Sequence, residues 1–107
     1  MITRLGLFDG TIKPGKDAAF YTYVWEEMLP VWQAFPGLLG LEVLTGEVPE
    51  LSKAYPLVTK FDFADRAALE AALASPERQR SLDRTQGLLA MFDGHIVHTV
   101  LSPLPRP

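Results

Sequence analysis

With 107 residues, a net charge of −3 and no cysteine, the chain suits one small domain and excludes disulfide and thiolate chemistry. No Lys/Arg run marks a nucleic-acid surface, and no apolar stretch reaches the roughly 18 residues that span a bilayer. The opening MITRLGLFDG lacks the basic-then-apolar layout of a signal peptide, so a reducing cytoplasm is the expected location.

Ile2 to Asp9 reads as a strand, ended by Asp9-Gly10. Pro14 and Gly15 punctuate the loop that follows, and Asp17 is placed to cap a helix. In that helix Phe20, Val24, Met28, Val31 and Phe35 recur every three or four residues and share a face. Trp25 and Trp32, seven residues apart, fall together and widen it. Pro30 has no N–H to bond the Glu26 carbonyl and should bend the axis; Pro36-Gly37 stops it.

Leu38 to Thr45 is the second strand and Tyr55 to Phe63 the third, with a polar loop over Gly46 to Ala54. Asp65 caps the next helix, which carries Leu69, Ala72 and Leu73 on its apolar side. Ser75-Pro76-Glu77 is a fresh helix start, with a cap, a proline in the first turn and an acid beside it. Leu82, Leu89 and Phe92 line this second segment, and Gly87 weakens it. Asp93-Gly94 turns the chain into a fourth strand, His95 to Leu101.

The order βαββαβ predicts an α+β, ferredoxin-like domain over residues 1–101, followed by an extended Pro-rich tail at 102–107. Its four-stranded antiparallel sheet should carry helices on one face only. Alternation turns Leu5, Leu7, Leu39, Leu41, Leu57 and Phe61 toward the helices. The opposite face then holds Ile2, Arg4, Phe8 and Leu38 beside Glu42, Val58, Lys60 and Asp62. Such a mixture is too apolar for water and too charged for a dry core, and marks a partner or ligand interface. A slip of one residue would invert the assignment.

Several pieces recur in a fixed order: Phe35-Pro36-Gly37-Leu38, Phe61-Asp62, the Ala/Leu-rich Ala67 to Ala74, Ser75-Pro76-Glu77, Asp83, and Phe92-Asp93-Gly94. In that order the chain resembles the EthD-like proteins of the dimeric α+β barrel superfamily. The resemblance implies a homodimer whose sheets pack face to face, with a cleft in each subunit. It also implies kinship with cofactor-independent monooxygenases, polyketide cyclases and muconolactone isomerases. Many similar proteins carry a histidine two residues before the helix proline, where this chain has Met28.

The two histidines, His95 and His98, lie three apart on one strand and so point to opposite faces. No cysteine or acidic cluster completes a metal site around either, so neither a metal nor a cofactor is expected. His98, grouped with Ile96 and Val100, is the candidate acid or base; the alternative is a structural histidine of the sheet. Arg4 and Asp62, with Lys60 and Glu42 nearby, form either a polar floor for a carbonyl, phenol or carboxylate, or an ion-pair set that fixes the dimer. Trp25, Tyr55 and Phe8 are candidate ligand walls, or ordinary core and interface aromatics.

Two functions follow as expectations. The first is a small cofactor-independent enzyme acting on an aromatic, lactone or polyketide-like molecule by proton transfer, isomerisation, cyclisation or oxygenation. The second is a non-catalytic protein that holds a hydrophobic metabolite or assists a catabolic system.

Overall fold

The computed structural model describes all of residues 1–107. Strand β1 (Ile2–Ile12) runs through the Asp9-Gly10 pair instead of ending there, and β4 (Phe92–Leu101) begins before Asp93-Gly94. The two glycines pair directly across the sheet, at φ +154° and +151°. A side chain on Gly10 would strike the Asp93 carbonyl, and one on Gly94 the Asp9 carbonyl. The dipeptides that read as turns are a close backbone crossing that only glycine permits.

Strands β2 (Leu38–Val48) and β3 (Lys53–Phe63) also extend into the polar loop, leaving a 3₁₀ turn at Pro49–Leu51 and a left-handed Ser52. The sheet order is β2-β3-β1-β4 with every neighbouring pair antiparallel, the ferredoxin-like arrangement.

The first helical unit is α1 (Asp17–Tyr23), a π-helical turn (Val24–Met28) and α2 (Leu29–Gln33). Asp17 is its first helical residue and not its cap, which is Lys16. The Leu29 N–H reaches back to the Val24 carbonyl, the wide i→i−5 bond, just before Pro30 removes a donor. This wide turn rotates the residues that follow. Trp32 is therefore buried while Trp25, predicted on the same side, is 58% exposed.

The second unit is α3 (Arg66–Leu73) and α4 (Pro76–Leu89). Both carry the expected caps: the Asp65 carboxylate accepts from Ala68 N–H at 2.8 Å, and Ser75 Oγ accepts from Arg78 N–H at 3.2 Å. Gly87 has a packing reason. The Tyr23 ring occupies the space its Cβ would need, and the phenol donates to the Arg84 carbonyl at 2.7 Å. Leu88 is fully buried, whereas Leu82 is an exposed edge residue.

Both helical units cover the same sheet face. The core between them holds Phe8, Phe20 and Phe92 in mutual contact, with Met28, Phe63 and Leu69 fully or almost fully buried. Register decides which face of β1 takes part. Arg4 pairs with Phe61, and Leu5 with Lys60. Since Phe61 is core, Ile2, Arg4 and Phe8 lie under the helices while Leu5 and Leu7 face outward, the reverse of the alternation read for this strand. A register shift between Leu38 and Gly40 similarly puts Leu38 inward and leaves Leu39 64% exposed. On β2 and β3 the expected faces of Leu41, Leu57, Glu42, Val58, Lys60 and Asp62 are as read.

No helix covers the other face. At its centre Lys60 Nζ lies 2.9 Å from Asp62 and 3.7 Å from Glu42, and the Thr3 hydroxyl donates to Asp62 at 2.6 Å. Leu7, Leu44, Val97 and Leu101 surround this group on the same face. Residues 102–107 are exposed and without regular structure. No helix is long and apolar enough to cross a membrane.

Candidate functional site

Position 6 of β1 is a glycine, and its missing side chain shapes the site. A Cβ there would lie 2.5 Å from Thr59 Oγ1 of β3 and 3.7 Å from the His98 ring of β4. Both side chains therefore lean over β1 into a recess between the sheet and α4. Arg4 enters the recess from β1 and Arg78 from the first turn of α4. One wall is aromatic: Phe61 stacks on Phe35 at 5.3 Å and meets the edge of Trp32 at 6.0 Å. Phe8 and Ile96 close the opposite end.

The recess encloses about 460 Å³ with its open mouth included. That is the size of a site for one small molecule. On the α4 side, the Ser81 hydroxyl donates to the Arg78 carbonyl at 2.9 Å and the Thr85 hydroxyl to the Ser81 carbonyl at 2.7 Å. These back-bonds hold the polar stripe of the helix flat against its own backbone.

The charges in the recess are all of one kind. Its lining contains Arg4, Arg78 and His98 and no carboxylate. Burial, and then the Arg78 charge, lowers Arg4 to about 10; burial also lowers Arg78. Both stay cationic at neutral pH. His98 is pushed down to about 4, by burial first and then by the Arg4 and Arg78 charges. The residue is exposed at the mouth, with one edge of its ring close to Gly6. At neutral pH the imidazole is thus a neutral acceptor facing two cations.

Of the residues singled out by sequence, Arg4, His98 and Phe8 meet in this recess. Asp62, Lys60 and Glu42 lie on the far side of the sheet, so Asp62 does not reach His98. Its carboxyl is held below the usual range by the Thr3 hydroxyl and then by Lys60. Trp25 borders a separate apolar hollow with Tyr21 and Leu44, and Tyr55 a third one near Gly46 and Pro56. Met28 is fully buried in the core and does not border the recess.

Arg78 is the lining residue that no sequence motif singles out. Arg80 pairs with Glu77 and Arg84 with Glu27, while Arg78 has no carboxylate within ion-pair distance. Its signal was the spacing Arg78, Ser81, Thr85, a polar stripe along one side of α4. No group of three His, Cys, Asp or Glu side chains converges anywhere in the chain.

The antiparallel sheet, the one-sided helices and the element order define a ferredoxin-like α+β protein. Among solved structures, the chain is similar to an ethyl tert-butyl ether D (EthD) family protein from Bacillus halodurans, at 17% identity and a TM-score of 0.76, covering 97% of this chain and 99% of that one. It is similar to HapK from Hahella chejuensis at 16% identity and a TM-score of 0.67, covering 100% and 96%. It is also similar to SnoaB from Streptomyces nogalater, a cofactor-independent oxygenase, at 19% identity and a TM-score of 0.63, covering 98% and 94%. The resemblance to EthD-like proteins therefore holds at the level of the fold. No protein-family model and no curated protein matches the sequence.

Proposed function

We propose that the recess is the ligand site of a small homodimeric, cofactor-independent enzyme acting on an aromatic, lactone or polyketide-like molecule. The observation that carries this reading is the meeting of Arg4 and a neutral His98 in a pocket walled by Phe35, Phe61 and Trp32. A neutral imidazole accepts a proton from an acidic carbon or hydroxyl beside a carbonyl, and a guanidinium stabilises the enolate or phenolate that forms. His98 is a weak base in the empty site. As negative charge develops on the substrate, it offsets the arginine field and the imidazole becomes more basic. Isomerisation and cyclisation both begin with such a proton transfer. Oxygenation would add dioxygen to the same anion, with dioxygen taking up its electrons.

The homodimer rests on the uncovered sheet face, where Leu39, Leu44, Val97 and Leu101 are exposed around the Lys60–Asp62 pair. In a face-to-face dimer Asp62, Lys60 and Glu42 serve the interface, as an ion-pair set that fixes its register. A chain without cysteine makes no demand on an oxidising compartment, and the cytoplasm is its proposed location. One observation favours a non-catalytic carrier as the second reading: the low basicity of His98 before any ligand arrives.

Native mass spectrometry of freshly purified protein reads subunit number and any retained ligand together. With a substrate in hand, His98→Ala should retain binding and lose turnover by about 10²-fold or more. Undiminished turnover in that variant excludes His98 as the base; binding without turnover in the wild type establishes the carrier.

A further inference from the structure

We propose, building on the recess as the ligand site, that its ligand is a planar-ring carboxylate, with the carboxylate held between Arg4 and Arg78 and the ring against Phe35 and Phe61.

Arg4 and Arg78 come from different elements, β1 and α4, and are brought into one recess by the fold alone. Both are half-buried and neither has a carboxylate within ion-pair distance. The same helix shows the contrast, because Arg80 and Arg84 each hold a glutamate. Two facing guanidiniums without a counter-ion are an unfavourable arrangement to bury, and an anion between them relieves it. A guanidinium offers a planar fork that matches a carboxylate with two parallel hydrogen bonds.

The remaining surfaces narrow the class. The aromatic wall is Phe61 stacked on Phe35, with Trp32 edge-on. It matches a flat ring and not an aliphatic chain. The volume is that of a small-molecule site. The charged or titratable groups facing His98 are Arg4 on β1 and Arg78 on α4, and the residues that β3 and α2 bring to the recess carry no charge. A bound carboxylate offsets the arginine field on His98 and so raises its affinity for a proton.

Benzoate and its neutral isostere benzamide are the probes, titrated at neutral pH into the full-length protein. The Trp32 indole and His98 imidazole resonances are the readout. Benzoate should bind saturably and shift both, and benzamide should bind at least about tenfold more weakly. Arg78→Gln should bring benzoate down to the benzamide level, and Arg78→Lys should recover part of the difference. The pKa of His98 should rise from about 4 when benzoate saturates the site. Equal binding of the two probes, or benzoate affinity unchanged in Arg78→Gln, overturns the carboxylate assignment and leaves the recess as a ligand site. If neither probe perturbs Trp32 or His98, the assignment fails together with the recess reading on which it rests.

Discussion

The environment of His98 departs from that of an ordinary histidine, and that departure has a stability consequence. Its imidazole falls from 6.5 to about 4 on folding, through burial and then the two arginines. Between those values the unfolded chain binds a proton that the folded chain does not. Stability is therefore undiminished by this group above about 6.5 and is lost as pH falls toward about 4. Solvent at the mouth makes the loss smaller than the gap alone implies. Urea unfolding at neutral and mildly acidic pH should show a shallower acid-side decline in His98→Asn than in the wild type. Identical slopes would remove His98 from the account. Gly87 gives a second test. Alanine in a helix interior ordinarily stabilises by about 1 kcal/mol over glycine, but here it would displace Tyr23 and its bond to Arg84, so Gly87→Ala should destabilise by about 1–3 kcal/mol. In a Tyr23→Ala background the sign should reverse. At this scale the sequence was partly legible. Alternation on β4 separates His98 from His95, and the Asp65 and Ser75 caps are local chemistry that can be read directly, although Asp17 falls one residue inside its helix. Arg78 was hidden because its meaning depends on Arg4, on a strand far away in sequence.

At the scale of elements, the order and type of each one were readable, because they follow from hydrophobic period and cap residues. Their ends were not. Two Asp-Gly pairs look like turns, and only the pairing of Gly10 with Gly94 makes them strand. The π turn is similarly invisible to a 3.6-residue period, so Trp25 and Trp32 read as neighbours when one is outside and the other in the core. The face of β1 could not be chosen either. Both of its faces are apolar, Ile2 and Phe8 on one and Leu5 and Leu7 on the other, and only the Arg4–Phe61 register decides between them. This is why the sequence groups Arg4 with Asp62, while the fold puts them on opposite faces of the sheet.

For the whole molecule, the sheet separates two surfaces of different character. One side holds the recess with its excess positive charge. The other is an uncovered apolar face with a small ion-pair cluster at its centre. A chain of this length gains most from burying such a face against a second copy. Val97→Asp puts an unpaired charge on that face at an exposed position, away from the recess. Sedimentation should show a dimer for the wild type and a monomer for this variant, with the far-ultraviolet circular dichroism of the two alike. A dimer that survives the substitution unchanged would put its interface elsewhere.

The convergence of Arg4, Arg78 and His98 in one recess is tested by titrating the His98 imidazole by NMR in the free protein. The midpoint should lie near 4 and move upward when either arginine is replaced by glutamine. A midpoint near the ordinary 6.5, indifferent to both substitutions, would mean that the three groups do not share a site.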